Sequence, residues 1–211
     1  MTSKNFLISV LAMVLLTGLV SAETTISIQP ASQSVIVGNQ VTFTVQLAPT
    51  IAISGASMDL TYNPAVMRLD TVTIGSVFGA NIFSNTGNIA TPGKITNIYI
   101  ASLNGGSIST QGAFLVVKGT LLTPGSTDIT ILNGKAAKAD ITYDTTIIQK
   151  GVIISGYIRE DVNEDGKVDL LDLLEVGKHF GEASALRFDA TGNGVVDLLD
   201  LLFVGKKYLV A

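Results

Sequence analysis

The 211-residue sequence has no cysteine, no tryptophan and a single histidine. Without cysteine there is no disulfide scaffold, no thiolate metal site, no cysteine nucleophile and no lipid-bearing cysteine anchor. One histidine leaves no room for a histidine-rich metal or relay site. Charge is scarce as well: 14% of residues are charged, with 13 Lys+Arg against 17 Asp+Glu. A net −4 carries no basic excess of the kind that drives nucleic-acid binding. Aromatics are only 6%, yet apolar residues reach 47%, too many for a disordered chain.

Long apolar runs are confined to the N-terminus, where Lys4 precedes a largely apolar stretch from Phe6 to Val20. Val20-Ser21-Ala22 then supplies small residues before Glu23. This is the pattern of a secretory signal peptide, and the run is shorter than the about 20 residues of a spanning helix. Cleavage after Ala22 is expected, releasing a secreted chain from Glu23 to Ala211 with no membrane span. No Asn-x-Ser/Thr acceptor occurs.

The remaining chain divides by charge. Residues 23–155 carry six acidic and six basic side chains, whereas residues 156–211 carry eleven acidic and six basic. The first part, 23–155, alternates apolar and polar residues in short runs: Val41, Phe43, Val45 and Leu47, then Ala56, Met58, Leu60 and Tyr62. Phe114 to Val117 is apolar on both faces, as in a central strand. Turn chemistry such as Gly38-Asn39, Asn63-Pro64 and Asn133-Gly134 separates the runs. Many short strands with turns between them predict a β-sandwich or jelly roll.

The second part, 156–211, contains an internal repeat. Asp161-Val-Asn-Glu-Asp-Gly-Lys-Val-Asp-Leu-Leu-Asp-Leu-Leu recurs from Asp189 with five changes, and each copy continues into Val-Gly-Lys. Oxygen-bearing side chains fall at loop positions 1, 3, 5, 9 and 12: Asp161, Asn163, Asp165, Asp169 and Asp172 in the first copy. In the second they are Asp189, Thr191, Asn193, Asp197 and Asp200. Gly166 and Gly194 stand at the sharp turn, and Lys167 and Val195 would offer backbone carbonyls at position 7. This is the ligand order of an EF-hand loop, and hard oxygen ligands at that spacing select Ca²⁺, here two ions. Position 12 departs from the EF-hand rule, being Asp rather than Glu.

The first ligand set carries a charge of −4 and the second −3, so the second loop is expected to bind more weakly. Asp169 and Asp197 are placed as N-caps, with Asp172 and Asp200 three residues on. A helix follows each loop, and Leu170, Leu173, Leu174 and Phe180 form one apolar stripe, matched by Leu198, Leu201, Leu202 and Tyr208. These stripes are expected to pack together. A unit this small, with net −5, is expected to need its metal to fold.

Paired loops, each followed but not preceded by a helix, resemble a type I dockerin from Asp161 to about Leu209, and Asp at position 12 is what that resemblance expects. The upstream part is similar to a cohesin, through Gly55-Ala-Ser-Met-Asp-Leu-Thr-Tyr-Asn-Pro-Ala-Val-Met67, Gly93-Lys94-Ile95, Gly112-Ala-Phe-Leu115 and Pro124-Gly-Ser-Thr-Asp-Ile129. The resemblance implies a jelly-roll receptor that binds dockerins on one sheet face, a dockerin that binds a cohesin, and a role in assembling polysaccharide-degrading complexes. It implies partner contacts at Leu170, Leu171 and Lys178 and at Leu198, Leu199 and Lys206. Leu171 and Lys178, like Leu199 and Lys206, lie about 100° from the core stripe, with Phe203 beyond them. Leu170 and Leu198 are assigned to the stripe itself. Two such similar copies would let a partner bind either way round.

No enzyme is expected. His179 lies in the last turn of the first helix, where a cation is an ordinary dipole effect. The six acidic residues upstream show no pairing of the glycosidase kind. The sequence therefore reads as a secreted adaptor. With almost no linker between Ser155 and Asp161, head-to-tail self-association or bridging of two other proteins fits better than self-capture. The rivals are a carbohydrate-binding module carrying a dockerin, with polysaccharide as partner, and a cell-surface structural protein stiffened by calcium.

Overall fold

The computed structural model describes residues 23–149, 151–183 and 187–209; the expected signal peptide, 1–22, lies outside them. Among the described residues the strands are β1 (Glu23–Gln29), β2 (Ser32–Ile36), β3 (Gln40–Ala48), β4 (Gly55–Thr61), β5 (Met67–Ile74), β6 (Ile82–Thr86), β7 (Lys94–Ser102), β8 (Gly112–Leu121), β9 (Gly125–Ala137), β10 (Tyr143–Ile148) and β11 (Val152–Tyr157). Two helices follow, α1 (Leu170–Lys178) and α2 (Leu198–Tyr208).

The strands pair in the order β5-β8-β3-β1-β10-β9-β4-β7-β6, and the path folds back so that its two halves form a mainly β sandwich of the jelly-roll kind. Strand β10 makes the turn, pairing with β1 on one side and β9 on the other. The buried pair Thr24 and Asp144 pins that corner, the threonine hydroxyl donating to the carboxylate at 2.7 Å. Alternation explains the core. Val41, Phe43, Val45 and Leu47 of β3 and Ala56, Met58 and Leu60 of β4 all point inward and are buried.

Strand β8 is buried on both faces at Phe114 and Leu115 for a local reason. The segment after β5 lies across it: the Gly75 N–H donates to the Phe114 carbonyl at 2.8 Å and the Val77 N–H to that of Ala113 at 3.0 Å. A Cβ on Gly75 would stand 2.1 Å from the Ala113 oxygen, so only glycine permits this approach. Phe78 then covers Phe114 edge to face, with centroids 6.4 Å apart.

The chain leaves the sandwich through β11, which pairs antiparallel with β9 and parallel with β2. This strand passes through Gly156 to Tyr157, and Asp161 follows four residues later. A second, small core lies beyond it: Val162, Val176, Ala190, Val196 and Val204, with Leu173, Phe188, Leu201 and Phe203 packed around it.

Candidate functional site

In each duplicated loop the first aspartate organises the backbone. The Asp161 carboxylate accepts from the Asp165 N–H at 3.1 Å and the Gly166 N–H at 2.9 Å. Asp189 accepts from Gly192, Asn193 and Gly194, at 2.7, 3.0 and 2.7 Å. The sharp turn requires positive φ, +88° at Gly166 and +96° at Gly194.

The last aspartate of each loop closes it onto its helix. Asp172 accepts from the Asn163 N–H at 3.1 Å and the Asp169 N–H at 2.8 Å. Asp200 accepts from the Thr191 N–H at 2.8 Å, the Thr191 hydroxyl at 2.9 Å and the Asp197 N–H at 2.8 Å. With Asp169 and Asp197 as N-caps, both helices start on complete capping boxes in which aspartate fills the third position. At position 5, Asp165 accepts from the Lys167 N–H, and Asn193 accepts from the Val195 N–H.

Asp172 and Asp200 are fully buried, and Asp161 and Asp189 nearly so. Among the described residues, none of the seven loop aspartates has a lysine or arginine within ion-pair distance. Buried anions without a cation are costly. Burial raises the Asp161 pKa above the ordinary carboxylate value; the Gly166 N–H opposes this, while the neighbouring charges of Asp172 and Asp165 add to it. For Asp189 burial is again the largest single influence. Here the N–H groups of Gly194, Gly192 and Asn193 together outweigh it, and the net shift is downward.

The residues fit a hard divalent cation: each loop gathers carboxylate, amide or hydroxyl, and backbone oxygens. Among the described residues no three acidic or histidine side chains are already drawn together as a closed cage. The carboxylates spend their oxygens on backbone N–H groups instead.

The helix faces differ from the expected stripe. Leu170, Leu174, Leu198 and Leu202 are 53–69% exposed, and Phe180 and Tyr208 are exposed too. The cause is the capping geometry. Asp172 and Asp200 must turn inward to close their loops, which commits the residue four further on, Val176 and Val204, to the same face. Leu173 and Leu201 flank that face and are half-buried. Leu170 and Leu198 are therefore surface residues, not core. Leu171 and Leu199, beside them, are 53% and 55% exposed.

Lys178 is half-exposed and held by Glu175 at 2.6 Å. Phe203, expected on the outer surface, instead packs partly on the small core and faces a groove whose other wall includes Ile36, Val37 and Arg159. Lys206 borders the adjoining groove with Glu160. His179 stacks on Phe188 at 3.7 Å between centroids and meets Glu182 at 3.0 Å.

One feature of the sandwich had no simple signal in the sequence. On the outward face of β4, Ser57 stands in register between Lys135 of β9 and Tyr99 of β7. Two residues on, the register slips on both sides of Asp59, and both neighbouring strands bend through left-handed asparagines, Asn97 and Asn133. The Asp59 carboxylate clamps both, accepting from the Asn97 N–H at 2.9 Å and the Asn133 amide at 2.8 Å. Aromatics gather around this row. Phe83 lies 5.5 Å from Tyr99, and the Lys135 ammonium sits 5.1 Å over Tyr143. Alternation shows that Ser57 and Asp59 face outward; the double bulge depends on pairing with distant strands.

Two family models match the chain in succession. Residues 24–159 match that of the cohesin domain and residues 159–209 that of the dockerin type I domain. No curated protein matches. Among solved structures, the non-cellulosomal cohesin of the archaeon Archaeoglobus fulgidus is 18% identical, with a TM-score of 0.55 over 67% of this chain and 96% of that one. A type II cohesin from the cellulosome of Acetivibrio cellulolyticus is 16% identical, with a TM-score of 0.52 over 64% and 95%. A chain of a type I cohesin–dockerin complex from Clostridium thermocellum is 15% identical, with a TM-score of 0.53 over 64% and 99%.

Proposed function

The chain belongs to the cohesin family and carries a type I dockerin domain at its C-terminal end, and from that premise we propose that it is a secreted, non-catalytic adaptor that assembles protein complexes in a calcium-dependent way. Cohesin and dockerin domains mediate protein–protein assembly. What goes further is the calcium dependence, the extracellular setting and the residues that make the contacts. The observation that carries the reading is the pair of loops whose buried aspartates have no cationic partner among the described residues, joined to helices that turn leucines outward.

Asp161, Asn163, Asp165, Asp169 and Asp172, with the Lys167 carbonyl, would hold the first Ca²⁺. Asp189, Thr191, Asn193, Asp197 and Asp200, with the Val195 carbonyl, would hold the second. A bound ion supplies the positive charge that these clustered carboxylates lack. The residues do the rest. Asp172 and Asp200 fix where each helix starts, and that start decides which side chains face out. Leu170, Leu171 and Lys178, and Leu198, Leu199 and Lys206, are thereby presented to a cohesin. The six leucines Leu170, Leu171, Leu174, Leu198, Leu199 and Leu202 make an apolar surface of a kind that marks a docking site.

The cohesin domain would receive a dockerin on the outward face of β9-β4-β7-β6, where Asp59 sets the shape. Because β11 runs almost directly into the first loop, little linker is left for one chain's helices to reach its own sandwich face. A second copy, docked head to tail, or two different proteins, would fill the two surfaces. Among the described residues no helix is long and apolar enough to cross a membrane.

Capture by the full chain from the secretions of the producing cells, in Ca²⁺ and then in chelator, tests the reading. The captured proteins are expected to carry cohesin or dockerin modules; chelator should release both kinds, and the double change Leu171→Asp, Leu199→Asp the cohesin-bearing ones. Capture unaffected by either would defeat it. Exposed Phe83 and Tyr143, with half-buried Tyr99 beside Phe83, favour polysaccharide as a second ligand of the sandwich. Co-sedimentation with insoluble cellulose that persists in chelator would establish that reading.

A further inference from the structure

The internal repeat starts earlier than its loops. Arg159 and Arg187 each stand two residues before the first loop aspartate, at equivalent places in the two copies. Among the described residues neither side chain makes a hydrogen bond or ion pair to its own loop. Arg187 donates through Nε to the carbonyl of Val162, and its terminal nitrogen lies 3.6 Å from the Glu164 carboxylate, both in the first loop. Arg159 lies across Gly192 of the second loop: a Cβ built there would stand 3.0 Å from Nη2 of Arg159. Glu164 and Gly192 both occupy position 4 of their loops, and both have positive φ, +60° and +77°. Each repeat therefore sends an arginine to the same corner of the other. The contact is an ion pair in one direction and close packing in the other.

We infer that Arg159 and Arg187 are reciprocal positioning residues that couple the two loops, so that ordering one favours ion binding in the other. Val162 lies between the ligands Asp161 and Asn163, so a guanidinium on its carbonyl fixes the peptide that aims both side chains. Arg187 can do this only when the second loop, two residues further on, is itself ordered. The same holds in reverse for Arg159 and Gly192, where the absence of a side chain leaves room for the guanidinium. Val162 and Ala190, at equivalent position 2, are both buried at 1% exposure in the small core, which makes the corner rigid enough to pass the effect on. Coupling of this kind makes binding of two ions cooperative and reciprocal.

The inference rests on the calcium reading of the loops, and one experiment separates the two. The Gly166 and Gly194 N–H groups donate to the first aspartate of each loop, and their amide NMR signals in the full chain, titrated with Ca²⁺ alone, report each loop separately. Arg187→Met is expected to cut the coupling between the loops about tenfold, the worth of one charge-assisted hydrogen bond, so that the Ca²⁺ midpoints read at Gly166 and Gly194 both rise by about threefold and both curves flatten. Arg159→Met is expected to act in the same way on both signals. Arg187→Lys, which keeps the charge without the planar fork, should fall between wild type and Arg187→Met, and keeps the test available should the methionine variant fold poorly. Unchanged midpoints and steepness, or an effect confined to one of the two loops, would overturn the coupling. If neither wild-type signal responds to Ca²⁺, the calcium reading itself fails and the coupling with it.

Discussion

Substituting Asp172 by Asn isolates what one buried carboxylate does. Asp172 is fully buried, and its two oxygens accept from the N–H groups of Asn163 and Asp169. An asparagine side chain keeps one acceptor and turns an NH₂ donor towards the other N–H. One hydrogen bond is lost, costing about 1 kcal/mol as a weakened cap, and two donors are left facing each other in a buried site, costing about 1–3 kcal/mol more. The sum, about 2–4 kcal/mol, lowers the local folding constant by roughly 30- to 1,000-fold. The loop also loses one of its four negative ligands. Far-UV circular dichroism with rising temperature, in saturating Ca²⁺, reads the loss through the 9 residues of α1 and the 11 of α2. The helical signal should melt well below that of the wild type, while the sandwich transition stays in place. Identical helical melting in the two proteins would refute the role given to this side chain.

Three further outcomes follow from the same geometry. Gly75→Ala places a Cβ 2.1 Å from the Ala113 oxygen and should destabilise the sandwich by about 3 kcal/mol, measured by denaturant unfolding. The Thr120 hydroxyl, 2.6 Å from Asp70, together with Arg68, holds that carboxyl below its ordinary range. A lowered native pKa contributes stability that is complete above the ordinary value of about 4 and fades as the pH falls through the native one; Thr120→Val should therefore cost about 1 kcal/mol at pH 7 and less in strong acid, by thermal unfolding against pH. Leu171→Asp alone should leave partner capture intact, since the second copy can serve, whereas adding Leu199→Asp should abolish it; loss in the single variant would exclude binding in both orientations.

How much of this was readable in the residues depends on how far apart the partners are. The β3 and β4 alternations place Phe43, Val45, Met58 and Leu60 in the core because a strand's period needs no knowledge of its neighbours. The loop pattern was equally plain, since all the ligand positions of a site lie in one short stretch of chain, Asp161 to Asp172 or Asp189 to Asp200. The helix faces misled. Leucine spacing alone puts Leu170 and Leu174 inside, but the third position of the capping box outranks hydrophobicity: Asp172 has to face the loop, and Val176 follows it inward. The clamp of Asp59 on Asn97 and Asn133, 38 and 74 residues away, depends on sheet pairing that no local pattern contains. The burial of both Phe114 and Leu115 depends likewise on the segment after β5.

The most direct test of the central claim is calorimetric titration of the full chain with Ca²⁺. The account predicts two ions bound per chain, the first loop taking up its ion more tightly than the second, and a rise in helical content on binding. No uptake at millimolar Ca²⁺, or uptake with helical content unchanged by chelator, would contradict it.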